Sequence, residues 1–152
     1  STSTPGYCWR NNDAGSYKNS YGALYNYYAL IGTSVCPSGY HTPSGMEFVK
    51  LENYLGGRSV AGGSLKEAGF QHWNSPNTGA TNETYFKALP GGDRLNGPNE
   101  LFGNLGETGG WWTTAFSDEF AVSRLMFCNS DHVQKAFYPK KSGLSVRCIR
   151  DY

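Results

Sequence analysis

Three histidines, four cysteines and twelve carboxylates are the side chains here that could support acid–base, nucleophilic or metal chemistry. Their spacing assembles none of it. His41, His72 and His132 stand alone in the sequence. No G-x-S-x-G, H-E-x-x-H or phosphate-cradling glycine loop occurs. Cys8, Cys36, Cys128 and Cys148 include no C-x-x-C pair, so a structural zinc site is not expected. Four cysteines permit three full disulfide connectivities, or four thiols, and both readings stay open. If one bridge forms, Cys36 to Cys148 is favoured, since it would tie an early helical region to the last strand. No enzyme, metal or cofactor is expected.

The composition points to contact rather than catalysis. Hydrophobic residues make up 38% and charged residues 16%, while aromatics reach 15% with 11 Tyr and 4 Trp. Glycine, serine, asparagine and threonine fill the remainder. That usage suits a loop-rich fold pinned by aromatics, and it matches binding surfaces. A net charge of +1 indicates no nucleic-acid partner. No apolar run is long enough to insert in a membrane. The 152 residues fit a single domain, with residues 1–6 (STSTPG) read as a flexible linker or trimmed end.

The elements that must position any site are unevenly legible. Tyr21–Ile31 carries apolar or aromatic residues at 21, 24, 25, 28 and 31, which predicts one helical segment. Ser44 and Glu47 form a capping box before Phe48, Leu51 and Leu55, predicting a helix that ends at Gly56-Gly57. From Arg58 to Gly110 patterning nearly vanishes, apart from a short helical turn at Ser64–Ala68 and a short strand from Tyr85 into the turn at Gly91-Gly92. A structureless connection this long is normally functional or a fixed feature of a special fold. Trp111–Thr114 predicts a strand, and Leu144–Arg150 predicts another with clean alternation. Between them Phe116, Phe120, Val122, Leu125, Phe127, Phe137 and Tyr138 follow no single period.

Several stretches, in order, resemble the Fibrobacter succinogenes major paralogous domain. They are YGALYNYYAL (21–30), VCPSGYHTPSGMEF (35–48), LGGRSVAGGSLKEAG (55–69), HWNSPNTGATNETYFKALPGGDR (72–94), GWWTT (110–114) and GLSVRCIRD (143–151). The resemblance implies an α+β, C-type-lectin-like fold with two helices, small antiparallel sheets and long irregular loops. It also implies that the C-terminal strands form a binding face. The related formylglycine-generating enzyme binds copper through two nearby cysteines. Cys148 matches that enzyme's terminal structural cysteine, but Cys128 has no close second thiol, so its oxidase chemistry is not expected here. Lectins of this fold bind calcium through clustered oxygens. Neither Asn96–Glu100 nor Asp118-Glu119 completes such a motif, and calcium wants six to eight oxygens.

The departures from the family concentrate between Ala115 and Ser142. A family-like frame with an odd interior resembles the variable region of a protein diversified by a retroelement, where adenines of a template repeat are randomised. The alternative is an ordinary member with a divergent surface. The expected ligand face is Trp112, Phe116, Ser117, Asp118, Phe120, Val122, Ser123, Leu125, Phe127, Asp131, His132, Phe137 and Tyr138. Phe116, Phe120, Phe137 and Tyr138 would anchor the ligand. Asp118, Asp131 and His132 would add polar specificity, with His132 making binding pH-sensitive. Strand alternation lets only some of these face outward together. The partner would be a protein or glycan on another surface, met by an extracellular or cell-surface module or, alternatively, on a phage virion. A competing class is a structural assembly module. The oligomeric state is left open.

Overall fold

A computed structural model describes residues 3–97 and 101–152. The helix announced by the capping box forms as expected. In α3 (Gly45–Tyr54), Ser44 Oγ accepts from the Glu47 backbone N–H at 3.2 Å, and Glu47 Oε2 accepts from the Ser44 N–H at 2.8 Å. Phe48 is buried on the inner stripe, with Leu51 and Leu55 packed beside it. The chain then leaves through Gly56 and Gly57 at φ 93° and 103°, a left-handed conformation that glycine adopts without steric cost.

The single helix expected over 21–31 is instead broken in two. Helix α1 (Ala14–Tyr21) ends at Gly22, whose φ 73° and ψ −162° only glycine tolerates. A two-residue strand, β2 (Leu24–Tyr25), pairs with β1 (Tyr7–Cys8). A new helix, α2 (Tyr27–Gly32), then starts at Asn26, whose side chain accepts from the Ala29 N–H at 3.0 Å. Asn26 also bonds the Gly6 N–H and the Thr4 carbonyl, holding the chain start against α2. The buried residues are Ala23, Leu24, Tyr27 and Ala29, while Ile31 is exposed.

The core of the molecule is a three-stranded antiparallel meander in the order β6 (Thr108–Phe116), β7 (Phe120–Phe127) and β8 (Gln134–Pro139). Adjacent tryptophans on β6 point to opposite faces, as strand geometry requires. Trp111 packs with Phe48, Leu65, Trp73, Met126 and Val133, beneath α3 and α4 (Ala61–Leu65). Trp112 packs with Tyr27, Ala121 and Leu144 on the α2 side. The central strand β7 is therefore covered on both faces, and every residue from Ala121 to Met126 is buried.

The long irregular middle is ordered by specific ties. Lys66 is fully buried and donates its ammonium to the Thr78, Phe127 and Ser130 carbonyls at 2.8–2.9 Å. Burial pushes its pKa down to about 8, so the group is still charged at neutral pH. Trp73 is buried and donates to the Ala88 carbonyl. In α4, a Cβ at Gly63 would lie 2.4 Å from the Gly79 carbonyl oxygen, so only glycine allows that approach. The strand expected from Tyr85 does not form, because Tyr85 and Lys87 adopt φ 56° and 53°; only Ala88 bridges Lys66. Further on, β4 (Asp93–Arg94) pairs with β5 (Phe102–Gly103).

The C-terminal segment is not the seven-residue strand its alternation suggests. Leu144 and Ser145 bridge Tyr25 and Trp111. Only β9 (Ile149–Arg150) is a strand, paired with β3 (Tyr40–His41). Cys36 and Cys148 are disulfide-bonded, which is the favoured pairing. The whole is an α+β fold of small antiparallel sheets with four α-helices among the described residues, two of them only five and six residues long.

Candidate binding surface

The β6–β7–β8 register sorts the expected ligand residues. On one face, Phe120 pairs with Pro139, Val122 with Phe137 and Arg124 with Lys135. On the other, Ala121 pairs with Tyr138 and Ser123 with Ala136, while Phe116 opposes Ala121 beyond a bulge in β6. The four expected anchors therefore divide between two faces and meet only at the β6–β7 end of the sheet. There Phe116, Phe120 and Phe137 are 63%, 42% and 59% exposed. Phe116 lies 5.8 Å from the Tyr27 ring and carries the Lys140 ammonium 4.5 Å above it. Ser117 and Asp118 are exposed in the turn, which is closed by Ser117 N–H to the Phe120 carbonyl and by Lys140 Nζ to the Asp118 carbonyl.

Five of the expected residues are engaged inside the protein. Trp112 has no exposure and donates to the Tyr25 carbonyl at 2.7 Å. Ser123 has none either, and its hydroxyl bonds the Ala136 carbonyl. Val122 and Leu125 are 6% and 5% exposed, because β7 is covered on both sides. Tyr138 is half-buried, edge-on to Trp112, and donates to Asp93 at 3.0 Å. Burial, with the Asp93 carboxylate, raises its pKa and keeps it protonated.

Three more lie elsewhere. Phe127, Asp131 and His132 sit at the β7–β8 end of the meander. Seven residue steps along β7 separate Phe127 from Phe120, roughly 23 Å. His132 is exposed, with Nε2 3.8 Å from Asp131, and cannot share a small ligand with the phenylalanine tip.

The tip continues into a groove of about 400 Å3 whose walls include Met46, Val49, Arg58, Ala115 and Lys135. Sequence reasoning did not find these residues. The available signal was Met46 and Val49, an i, i+3 apolar pair off the inner stripe of α3; Met46 is 66% exposed. Beneath the groove, Arg124 is buried and bonded to Glu52 at 2.7 Å. That fixes the strand to α3.

Catalytic arrangements fare differently. His41 donates or accepts at both ring nitrogens, to Glu47 at 2.9 Å and Asp151 at 2.6 Å. Those bonds raise its pKa, Glu47 first and Asp151 second. With both ring nitrogens bonded to carboxylates, His41 ties α3 to the C-terminal segment. His72 is likewise bonded to Glu67 at 2.7 Å. Among the described residues no group of three or more His, Cys, Asp or Glu is placed to hold a metal ion. Pro98, Asn99 and Glu100 of the oxygen-rich run lie outside the described residues. No described helix is long and apolar enough to cross a membrane.

An α+β domain of small sheets, long pinned loops and a phenylalanine-tipped meander is thus the class that fold and surface define. The chain belongs to the Fibrobacter succinogenes major domain family, whose model matches residues 1–150. No curated protein and no solved structure matches it.

Proposed function

We propose that this chain is a ligand-binding module of receptor type, and that it contacts its partner through the β6–β7 end of the meander. The observation that carries the proposal is the exposure of Phe116, Phe120 and Phe137 at one end of a meander whose central strand is buried from Ala121 to Met126. Each ring leaves apolar area in water that a partner can bury. The adjoining groove adds Met46 and Val49 for packing and Lys135 for polar selection. The partner class is a protein or a glycan on another surface. The disulfide suits an extracellular or cell-surface setting.

Retroelement diversification belongs to the same proposal, in a narrower form than the sequence suggested. Randomised positions would have to be ones whose side chains reach solvent, which at the tip are Phe116, Ser117, Asp118, Phe120 and Phe137. Trp112, Ser123 and Leu125 are core, and changing them at random would unfold the frame.

Two experiments test this. Population sequencing of the gene should show variation concentrated at the five exposed codons and absent from the three core ones; uniform variation, or none, removes the diversification reading. Glycan and displayed-peptide arrays probed with the wild-type chain and with a Phe116→Ala/Phe120→Ala/Phe137→Ala variant test the binding reading. Signal lost in the variant supports it. If the variant instead abolishes only self-association measured by light scattering, the tip is an assembly surface.

A further inference from the structure

A second concavity lies away from the tip and shares none of its residues. It holds about 360 Å3, at the lower end of small-molecule sites, and its walls are mostly apolar. One wall is a face of α3, where Glu47, Lys50, Leu51 and Tyr54 recur at i, i+3, i+4 and i+7. The opposite wall is the C-terminal segment, which sends Arg147 and Ile149 inward two residues apart. Phe86 lines the cavity as well. It is held edge-on to Trp111 at 6.0 Å and is flanked by the two left-handed residues Tyr85 and Lys87. The cavity is thus built from a helix, a disulfide-anchored segment and a locked aromatic, so it is preformed.

Its cations are not spoken for. The Arg147 guanidinium stacks on Phe86 at 4.5 Å, a geometry that leaves its edge donors free. Neither Arg147 nor Lys50 makes an ion pair among the described residues. Partial burial holds Arg147 below the usual guanidinium value, while the residue as a whole stays exposed. The one carboxylate on the rim, Glu47, is already satisfied by Ser44 and His41. With Glu47 so engaged, Arg147 and Lys50 are the side-chain charges of the lining left to meet an anion. An apolar body bearing one planar anionic group fits that lining: the body against Leu51 and Phe86, the anion on the Arg147 fork.

We propose that the cavity between α3, Phe86 and the C-terminal segment is a second ligand site, specific for a small monocarboxylate with an aromatic or branched apolar body. Its test is a titration of the intact, disulfide-bonded chain with phenylacetate, followed by backbone amide NMR. Phenylacetamide serves as the neutral isostere and inorganic phosphate as the anion without a body. Shifts should concentrate at Lys50, Leu51, Tyr54, Phe86 and Arg147. Phenylacetamide should bind about tenfold more weakly, as the loss of a charge-assisted hydrogen bond predicts. Arg147→Gln should lose affinity by a similar factor while keeping the wild-type spectrum elsewhere. Lys50→Gln, on the solvent side of a helix, gives a second reading should the first variant misfold. Several outcomes would overturn the proposal: equal binding of acid and amide, saturation by phosphate at the same concentration, unchanged affinity in both variants, no shifts at millimolar phenylacetate, or shifts at Phe116 and Phe137 instead.

Discussion

Lys66 shows how a single side chain can organise a region that has no regular structure. Its ammonium joins three carbonyls from two loops and the end of β7, and lies 5.3 Å over the Trp73 ring. Lys66→Met keeps the stem and removes the donors, leaving three carbonyls with fewer partners. The expected loss is about 3 kcal/mol, read as a lower urea midpoint at unchanged slope. Nothing in the local sequence SLKEA announces this role, because a lysine destined for burial is spelled like one destined for water. His41 stood alone in the sequence, and its partner Asp151, 110 positions away, was not legible. Its raised pKa means that its stabilising contribution is complete below the unfolded histidine value and is lost as pH rises through the folded one. Glu47 shows the opposite sign. Burial alone would raise its pKa, but hydrogen bonds from Ser44 and His41 outweigh it and hold it low. Its contribution is present above the unfolded carboxylate value and is lost as pH falls through the lowered one. Thermal stability should therefore be greatest between about pH 4.5 and 6.5, and His41→Gln should flatten the alkaline side of the profile. Melting temperatures of both proteins across that range decide it.

At the scale of elements, the meander explains why the most informative part of the chain was the hardest to read. A strand covered on both faces loses its two-residue alternation and reads as a continuous buried run. In β7 that run includes Ser123 and Arg124, so Ala121–Met126 looked irregular when it was core. Trp112, Ser123, Val122 and Leu125 were assigned to a ligand face on that account. Phe116, Phe120 and Phe137 were legible, since they sit where the cover ends. The capping box of α3 was readable because its signal is local, whereas the break at Gly22 depended on a ψ that only the folded chain reveals. Two substitutions separate frame from tip. Gly63→Ala should cost about 2 kcal/mol, because its Cβ would meet the Gly79 backbone. Phe137→Ala should change stability by no more than about 0.5 kcal/mol, because the ring is mostly in water. Chemical denaturation of each variant measures the contrast.

On the scale of the whole molecule, the disulfide sets the connectivity. The bond closes a loop of 112 residues that contains α3, α4 and the entire meander. In the chain-entropy description a loop of that length restricts the unfolded chain strongly, and a Cys36→Ser/Cys148→Ser variant should lose about 4 kcal/mol, read by urea denaturation. The pairing was one of several the cysteine count allowed, and what favoured it was the tie it makes between early helix and last strand. Length and composition fit one domain, but they carried no sign of the division of labour among its segments. The tip and the second cavity are assembled from segments that are distant in sequence and distinct in kind.

The same bond has a mechanical consequence. A chain pulled from its two ends carries the load through covalent linkages first, and here tension entering at Cys36 leaves at Cys148 without crossing the sheet. Only the segments before Cys36 and after Cys148 can be drawn out. The phenylalanine tip lies inside the shielded loop, but Tyr27, which packs on Phe116 and Trp112, lies outside it, so force on the segment before Cys36 reaches the tip through that ring.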